Sequence, residues 1–277
     1  MKDQTRAQPL TREAVVALLR TKRLGRGLQF LPEVTSTNSD AANLAQLGME
    51  HGTVVLAERQ TAGKGRLGRA WHSPDGNLYC SVILQAPGAS KEMPAWLSWI
   101  PLIAAVATAR AVQTVTGLKP EVKWPNDLLI GQRKLGGVLC ESGVAGRQYV
   151  YVVVGIGLNV NAPREAFPKE LQDTATSLVS ECGRTVERAP LLAALLLELE
   201  NRIDALFAMK AMPSDLLKEY LALCCTLGQK IRVSLADGRS VEGVANSIVD
   251  YGSLRIVRAA AGDGTLDLRA GDVLHLR

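Results

Sequence analysis

The chain has 277 residues, which favours one large domain or a main domain with a small companion, and about 70 to 75% of its surface is expected to be buried on folding. A hydrophobic content of 47% and a charged content of 21% are ordinary globular values and exclude an intrinsically disordered chain. The formal charge of +5 permits an anionic partner, but basic residues cluster only between Lys64 and Arg69, so composition alone does not indicate a nucleic-acid groove.

The sequence carries neither a metal-binding nor a membrane-spanning signature. The cysteines form no C-x-x-C pair and the histidines have no metal-ligand spacing, so we expect buried free thiols. The segment MKDQTRAQPLTR lacks the apolar core of a signal peptide, and the most apolar run, IPLIAAVATARAV, meets Arg110 well short of the ~20 residues that a bilayer requires. These features predict a cytoplasmic protein without membrane contact.

The first part of the chain predicts an extension followed by strands and one helix. Residues 11–24 have apolar positions at helical spacing, and residues 1–27 form a short N-terminal helical extension. LQFLPEV is strand-like, STNSDAANLAQLGM is typical of a helix capped within STN, and TVVLAE and NLYCSVILQ are strands.

The second part predicts a long helix, four strands and a closing pair of helices. The helix lies within AWLSWIPLIAAVATARAVQTVTG, the strands are EVKW, DLLI, KLGGVLCESGV and QYVYVVVGIGLNV, and helices follow near 190–208 and 213–225. From Gly228, short strands alternate with DG, YG and GD turns, which is typical of a small all-β barrel. The fold class is α+β: a mixed β-sheet packed with helices at 28–226 and a small barrel at 227–277.

A glycine-rich basic loop, RQTAGKGRLGRAW, connects two of the strands. Its GKGRLG portion has the G-x-G-x-x-G spacing of a dinucleotide-binding turn, which requires a following helix and an acidic residue about 20 positions on. Here a strand follows and the window from Ile83 to Gly88 contains no Asp or Glu, so a dinucleotide site is excluded. The loop can instead fold over a phosphate or carboxylate with Lys64, Arg66 and Arg69, or it is an ordinary solvated basic loop.

Two further motifs carry residues suited to an anionic ligand. In KWPNDLLI, Lys123 ends a strand, and Asn126 with Asp127 offers an amide and a carboxylate for Mg²⁺ carried in by phosphates. In RKLGGVLCE, Lys134 precedes two glycines, whose missing Cβ atoms let a ligand or another backbone come close. Taken alone, the first motif is an ordinary β-turn and the second a bulge. Together with the basic loop, they favour a binding site for a multiply charged anion.

The ordered set of motifs resembles that of the biotin-protein ligases. The motifs are STN (36–38), Q-TAGKGRLGRAW (60–71), KWPNDL (123–128), RKLGGVLCE (133–141) and GIGLNVN (155–161), and they fall within residues 28–225. The C-terminal β segment is similar to the small SH3-like domain of these enzymes. The resemblance implies the biotin/lipoate ligase-like fold, with a catalytic biotin- and ATP-binding domain at 28–226 and an SH3-like β-barrel at 227–277.

The resemblance also implies an activity and a partner. A ligase of this family joins biotin to ATP, with Mg, to give biotinoyl-5'-adenylate and pyrophosphate. It then passes the biotinoyl group to one lysine of a biotin carboxyl carrier protein, a subunit of acetyl-CoA carboxylase or of a related biotin-dependent carboxylase, and forms a C–N amide bond. A homodimer could form through an exposed strand such as QYVYVVVGIG, but burial within one chain explains that apolar run equally well.

Site residues are implied by the matching motifs. The catalytic set is Lys123, Lys134, Asp127 and Arg66. The biotin-binding set is Ser36, Thr37, Asn38, Gln60, Gly63, Lys64, Gly65, Arg66, Lys134, Gly137 and Gly155. The ATP-binding set is Arg66, Arg69, Trp71, Lys123, Asn126, Asp127 and Asn159, with Asp127 as the metal residue and Trp71 against the adenine.

Charge neutralisation gives these roles a physical basis. Attack of a carboxylate on the α-phosphate brings two anions together, so fixed cations and Mg²⁺ must offset charge that peaks in the transition state. A loop that orders over the acyl-adenylate protects it from water. Asp127 is the candidate base for the acceptor amine. Because a carboxylate is a weak base for an ammonium group, Asp127 alternatively holds metal or orients an amine that enters deprotonated.

Two features depart from the family pattern. Lys64 stands where many relatives carry Arg, and its ammonium lacks the bidentate fork of a guanidinium. Regulatory members carry a winged-helix DNA-binding domain before the catalytic domain, and residues 1–27 are too few to form one. We therefore expect no specific DNA binding and no repressor activity from the chain as given.

Two alternatives stay open at the level of sequence. Lipoate- and octanoate-protein ligases share the catalytic fold and the adenylation chemistry, although GKGRLGRAW, KWPND and the C-terminal barrel resemble biotin ligases more closely. A nucleic-acid-binding module would explain the charge of +5 and the basic cluster. It would also predict aromatic residues interleaved with the basic ones, and only Trp71 lies near the cluster.

Overall fold

The chain forms a seven-stranded mixed sheet with helices on both faces, followed by a second sheet of five strands. The computed structural model describes residues 9–86, 93–145, 149–235, 237–258 and 264–276. The strands of the first sheet are β1 (Leu28–Val34), β2 (Val54–Gln60), β3 (Leu78–Gln85), β4 (Glu121–Lys123), β5 (Asp127–Ile130), β6 (Arg133–Ala145) and β7 (Tyr149–Leu158). The helices are α1 (Arg12–Val16), α2 (Thr37–Gln46), α3 (Ile100–Thr116), α4 (Leu178–Cys182), α5 (Arg188–Met209) and α6 (Ser214–Leu223).

The strand order of the first sheet is β1-β2-β3-β7-β6-β5-β4. Strands β1 and β2 are parallel, and every other neighbouring pair is antiparallel. The predicted mixed sheet packed with helices is therefore confirmed. The short helix α4 was not predicted, because five residues are too few to show a helical period.

The two faces of the sheet are covered by different helices. Helix α2 packs on one face, where Val55, Ile83 and Val153 form a small cluster with alanines of the helix. Helices α3 and α5 belong to the main core on the other face, which receives the alternate residues such as Val54 and Val154. The period of two along buried strands thus divides their apolar residues between two layers.

Strand β7 lies in the interior of the sheet. It pairs with β3 through Tyr151–Leu158 and with β6 along its whole length. Its backbone hydrogen bonds are used within this chain, so the idea that QYVYVVVGIG pairs across a dimer axis is wrong. The apolar run is explained by burial on both faces.

The stretch Ala95–Thr116, which includes α3, is long and apolar enough to span a membrane. In the folded protein 72% of its apolar window is buried, and α3 packs against α5 and the sheet. The stretch is therefore accounted for as a core helix.

The five cysteines are free, as expected, but only Cys80 is buried. Burial raises the pKa of the Cys80 thiol to about 12, so this thiol stays protonated at neutral pH. As whole residues, the other four cysteines are only partly buried. Burial nevertheless raises the pKa of the Cys140 and Cys225 thiols, so the expectation of buried thiols holds for part of the set.

The N-terminal extension is less helical than predicted. Helix α1 covers only Arg12–Val16, and the segment after it is held by the side chain of Glu200 on α5. The Glu200 carboxylate, only 4% exposed, accepts hydrogen bonds from the backbone N–H groups of Lys22, Arg23 and Leu24 at 2.6, 2.7 and 2.8 Å. The backbone N–H groups that a longer helix would have used are thus bonded to a side chain distant in the sequence. The local spacing of apolar residues cannot predict such a contact.

The second sheet contains β8 (Lys230–Ser234), β9 (Ser240–Val249), β10 (Ser253–Val257), β11 (Thr265–Leu268) and β12 (Asp272–His275). Its order is β11-β10-β9-β8-β12, and all its pairs are antiparallel. No ladder joins β11 to β12 among the described residues, so the predicted closed barrel is not confirmed. The second sheet contacts the turn between β4 and β5 through Trp124, whose indole donates a hydrogen bond to the Gly252 carbonyl at 2.9 Å.

Replacing Glu200 by Gln should destabilise the fold, because the amide offers one acceptor oxygen and turns its NH₂ toward backbone donors. We expect a loss of about 1 to 3 kcal/mol in the free energy of unfolding, measured by urea denaturation. Asp204→Asn, one turn further along α5 in an exposed pair with Arg23, is the control and should lose less than about 1 kcal/mol.

The loss of stability caused by Glu200→Gln should depend on pH. Burial by itself raises the pKa of Glu200, but the three backbone donors and Arg23 outweigh it and lower the pKa below the usual 4.5. A lowered carboxyl pKa contributes stability above the unfolded value and loses it as the pH falls through the folded value. The difference between wild type and Glu200→Gln should therefore be full above pH 4.5 and shrink at lower pH; an unchanged difference in acid would contradict this account.

Candidate functional site

A cavity of about 280 Å³ lies on the α2 face of the first sheet. It is lined by residues from the start of α2, the basic loop, the β4–β5 turn and the middle of β6 and β7. Of the predicted site residues, the cavity is lined by Ser36, Thr37, Asn38, Gln60, Lys64, Gly65, Arg66, Arg69, Trp71, Asn126, Asp127, Lys134, Gly137, Gly155 and Asn159. Residues as far apart in the chain as Ser36 and Asn159 are thus brought to one place.

One end of the cavity is a buried polar floor at the start of α2. Gln60 on β2 accepts hydrogen bonds at its Oε1 atom from the backbone N–H and the hydroxyl of Thr37, at 3.0 and 3.1 Å. Gln60 in turn donates to the hydroxyl of Ser73 at 3.0 Å. The hydroxyl of Ser81 on β3, which is fully buried, lies 2.8 Å from the Thr37 hydroxyl and 2.7 Å from Asn38 Oδ1, the acceptor for its one proton. These bonds hold the side chains in one arrangement before any ligand arrives.

Asn38 connects this floor to β6 and β7. Its amide Nδ2 donates to Glu141 at 2.7 Å and to the Leu139 carbonyl at 3.2 Å. Opposite Asn38, β7 has no side chain at Gly155, where a Cβ would stand 2.0 Å from Asn38 Oδ1. The glycine is required for the approach of the Asn38 amide, which explains this part of GIGLNVN without reference to a ligand.

The basic loop is folded as a tight turn. Lys64 and Ala70 form an antiparallel bridge, and the Trp71 N–H donates to the Gly63 carbonyl at 2.8 Å. At its tip Leu67 is exposed and has a φ of 56°, which few side chains adopt. The loop leads into strand β3, which agrees with the exclusion of a dinucleotide turn.

The second sheet holds the loop from the other side. Arg69 forms a bidentate ion pair with Asp272 on β12, in which its Nη1 and Nη2 atoms donate to the two carboxylate oxygens at 3.0 and 3.1 Å. Arg66 donates to Asn126 Oδ1 at 3.0 Å and to the Gly271 carbonyl at 3.4 Å. Burial lowers the pKa of the Arg66 guanidinium, and the carboxylate of Asp127 opposes this shift. The guanidinium remains charged and is poorly hydrated, so an anion can readily replace its present partners.

Trp71 forms a flat wall of the cavity. A Cβ at Gly157 would lie 2.6 Å from the indole, so the ring rests directly on the β7 backbone. The Nζ atom of Lys134 lies 5.4 Å from the ring centroid, within cation–π range. The indole Nε1 is buried without a hydrogen-bond partner among the described residues.

Lys134 and Asp127 form an ion pair of 2.6 Å beside Trp71. The two side chains are only 35% and 21% exposed, so their attraction is screened less than that of a surface pair. In the described part of the chain no group of three or more His, Cys, Asp or Glu residues is positioned to hold a metal ion. Asp127 with Asn126 can contribute to a magnesium site only if other oxygen ligands, such as phosphates, complete it.

Two predicted site residues do not line the cavity. Lys123 is on β4 near His275, whose pKa is lowered first by burial and then by the positive charge of Lys123. Gly63 holds Trp71 through its carbonyl. Asn159 lines the cavity, but its amide donates to the Thr176 carbonyl at 3.0 Å.

Sequence reasoning did not single out several residues of the site. Ser81 and Asp272 lie outside the recognised motifs, and only the pairing of strands and sheets brings them in. Glu141 and Gly157 lie within the recognised motifs but were given no role. Phe167 and Leu171, which line the cavity, come from a loop after β7 that has no periodic pattern.

Comparisons with known proteins agree with this geometry. The model of the Biotin/lipoate A/B protein ligase family matches residues 30–159. The bifunctional ligase/repressor BirA of Bacillus spizizenii is 35% identical over 237 residues, which cover 85% of this chain and 71% of that protein. The biotin-[acetyl-CoA-carboxylase] ligase of Mycobacterium tuberculosis is 34% identical over 288 residues and the match covers 100% of both chains. A solved structure of the biotin protein ligase from Aquifex aeolicus in complex with biotin and ATP has a TM-score of 0.74 at 26% identity, covering 91% of this chain and 99% of that one.

A methyl group at Gly155 should disturb the floor of the cavity. Gly155→Ala forces Asn38 from its place, and we expect a loss of about 1 to 3 kcal/mol in the free energy of unfolding, typical of overpacking. Gly137→Ala is the matched control in the same cavity, because its Cβ would make only ordinary contacts of 3.5 Å. Thermal denaturation of both variants measures the difference; equal stabilities would contradict the close contact.

Proposed function

This chain belongs to the biotin-protein ligase family, and from that premise we propose that it activates biotin with ATP and transfers the biotinoyl group to a lysine of a biotin carboxyl carrier protein. The observation that carries the proposal is one cavity in which a buried polar floor and a cluster of cations lie side by side. The bicyclic ureido ring of biotin requires a polar floor, and its carboxylate tail and the phosphates of ATP require the cations. The named activity of the M. tuberculosis relative supports the same assignment.

The floor built by Thr37, Asn38, Gln60 and Ser81 would bind the bicyclic ring of biotin. The ureido group of biotin has N–H donors and a carbonyl acceptor, and this floor presents hydroxyls and amides that can serve either role. Because hydrogen bonds between these groups already orient them, their side chains lose little conformational entropy when the ligand binds. Gly155 would then lie beside the ring and Gly137 beside the tail.

Adenylation would take place between Lys134, Arg66 and Asp127. An oxygen of the biotin carboxylate attacks the α-phosphorus, the new O–P bond forms, and the bond to the β-phosphate oxygen breaks as pyrophosphate leaves. Lys134 and Arg66 would offset the negative charge as it accumulates. Lys64 and Arg69 on the same loop would bind phosphates from the solvent side, and Trp71 would pack against the adenine.

Magnesium fits this site only as part of the nucleotide complex. Asp127 and Asn126 would hold the ion together with phosphate oxygens, and the bound ion would supply additional positive charge at the phosphates.

In the transfer step the acceptor amine attacks the acyl carbon of biotinoyl-adenylate. The C–N bond forms, the C–O bond to AMP breaks, AMP leaves with the electron pair, and the nitrogen loses a proton. Asp127 is the carboxylate available in the cavity to orient the amine or accept that proton. The partner would be the carrier domain of acetyl-CoA carboxylase or of a related biotin-dependent carboxylase.

Several finer assignments belong to the same proposal. The second sheet would be the SH3-like domain at 227–277, next to a catalytic domain at 28–226 and an extension at 1–27. The chain would act in the cytoplasm without specific DNA binding, and a homodimer, if formed, would use a surface other than β7. Lys123 would act at the phosphates only if its side chain reoriented toward the cavity.

ATP–pyrophosphate exchange dependent on biotin tests the proposal, run with Mg²⁺ beside lipoate and octanoate and followed by transfer to a carrier domain. Exchange with biotin alone supports it. Exchange only with lipoate or octanoate would assign the related activity instead. No exchange with any of the three acids, together with steeply salt-dependent binding of DNA or RNA, would favour a nucleic-acid-binding module.

Lys134→Ala should nearly abolish adenylate formation, because it removes the cation paired with Asp127 beside the reacting groups. We expect exchange to fall by about a hundredfold or more. Lys169→Ala removes the same charge from an exposed position nearby that does not line the cavity, and it should leave exchange unchanged. Normal pyrophosphate release by Lys134→Ala would refute its role.

Arg66→Ala should release the intermediate faster, because the loop loses its hydrogen bond to Asn126 and its cation near the phosphate. We expect about a tenfold increase in the rate at which labelled biotinoyl-adenylate leaves the protein, which is the loss of roughly one charge-assisted hydrogen bond. Arg164→Ala, at an exposed pair with Asp173, is the control. An unaltered rate of release would count against a role of the loop as a lid.

A further inference from the structure

Glu141 is a carboxylate beside the reaction cavity that none of the reaction steps uses. It lies on β6 two residues beyond Leu139 and four beyond Gly137, so the three side-chain positions are on the same side of the strand. Leu139 and Gly137 line the cavity, whereas Glu141 does not. Its Oε2 atom accepts a hydrogen bond from Asn38 Nδ2 at 2.7 Å. Glu141 therefore contacts the polar floor from outside the cavity.

The carboxylate fixes the orientation of the Asn38 amide. An ionised carboxylate only accepts hydrogen bonds, so Asn38 must turn its NH₂ group toward Glu141. The second amide proton goes to the Leu139 carbonyl at 3.2 Å, and the charged acceptor is both nearer and stronger. Both donors of Asn38 are thus used by β6. Its oxygen consequently faces Ser81 and the β7 backbone at Gly155.

This orientation determines the direction of the hydrogen bonds at Thr37. The one proton of Ser81 goes to Asn38 Oδ1, so Ser81 meets the Thr37 hydroxyl, 2.8 Å away, as an acceptor. The Thr37 proton then goes to Ser81 or to Gln60 Oε1, which is 3.1 Å away. In both cases no donor among the described residues occupies the lone pairs of the Thr37 oxygen. Because Thr37 lines the cavity, its oxygen is left as an acceptor for a ligand.

Gln60 is held in the same sense. The backbone N–H of Thr37 donates to Gln60 Oε1 at 3.0 Å, which turns the NH₂ group of Gln60 toward the Ser73 hydroxyl at 3.0 Å. The hydroxyl of Ser36, which makes no capping bond with α2, is available as a donor at the edge of this floor. A ring with N–H groups and one carbonyl, such as the ureido ring of biotin, satisfies these groups. A ring without N–H groups leaves the acceptors unpaired.

We propose that Glu141 is a positioning residue that makes the floor selective for a ligand ring with N–H donors. This inference rests on the proposed ligase function. Glu141 orients Asn38, Asn38 takes the Ser81 proton, and the Thr37 oxygen is left to accept from the ureido group. Without the carboxylate, only the longer bond to the Leu139 carbonyl opposes rotation of the Asn38 amide. Once the amide has rotated, Ser81 donates to Thr37 and occupies one of its lone pairs.

Glu141→Met tests this role, because methionine is similar in size and its thioether is only a weak acceptor. We expect the Kd for biotin, measured by calorimetry without ATP, to rise about tenfold, the effect of losing roughly one oriented hydrogen bond. Glu141→Gln retains one acceptor oxygen and should stay within about threefold of wild type. Glu121→Met, at an exposed position of β4 that does not line the cavity, is the control and should bind biotin as the wild type does.

Two measurements separate the orientation of the floor from general damage. Desthiobiotin has the ureido ring without the sulfur-containing ring, so in Glu141→Met its affinity should fall by the same factor as that of biotin. The KM for ATP in biotin-dependent exchange should be equal in wild type, Glu141→Met and Glu121→Met, because neither residue lines the cavity. A loss for biotin without a loss for desthiobiotin would overturn the proposal, as would an altered KM for ATP in Glu141→Met alone.

A double-mutant cycle with Asn38→Ala identifies the route. Since Glu141 acts through Asn38, adding Glu141→Met to Asn38→Ala should weaken biotin binding by less than about twofold. Losses that multiply would contradict the inference. An unchanged Kd in Glu141→Met, or a loss in Glu141→Gln as large as that in Glu141→Met, would also contradict it. No binding of biotin by the wild type would refute the ligase function itself.

Discussion

The site depends on a close contact between the backbone of one strand and two side chains. At Gly155 and Gly157, β7 has no Cβ, and there it meets Asn38 and Trp71 at distances that no other residue would permit. Because β7 is hydrogen-bonded to β3 on one side and to β6 on the other, its backbone cannot retreat. The polar floor and the indole wall are therefore both positioned by the backbone of this sheet.

The charged groups of the site are paired before any ligand binds. Lys134 is bonded to Asp127 and Arg69 to Asp272. The Arg69 pair is about half exposed, so it contributes little stability and can exchange its carboxylate for a phosphate at small cost. The Lys134 pair is less exposed and lies against Trp71. The arrangement avoids an accumulation of uncompensated positive charge while leaving the cations close to where phosphates would bind.

The second sheet takes part in the site as well as in the fold. Its Asp272 and Gly271 hold the basic loop. Trp124, in the motif before Asn126, donates to Gly252 of the same sheet. Residues about two hundred positions apart in the chain thus contact one another and hold one loop in place.

The sequence by itself determined the strands with clear periodicity, the long core helix and the motifs that the cavity gathers, because turn residues and apolar spacing are local properties. It also led to the rejection of a dinucleotide turn at GKGRLG. It could not determine the short α1, since Glu200 captures the backbone of residues 22–24 from another helix. Nor does the sequence show that β7 lies inside the sheet, that Lys123 lies outside the cavity, or that Ser81 and Asp272 belong to the site. Those outcomes were decided only by the tertiary structure, because they depend on which strands pair and which surfaces meet across long separations in the chain.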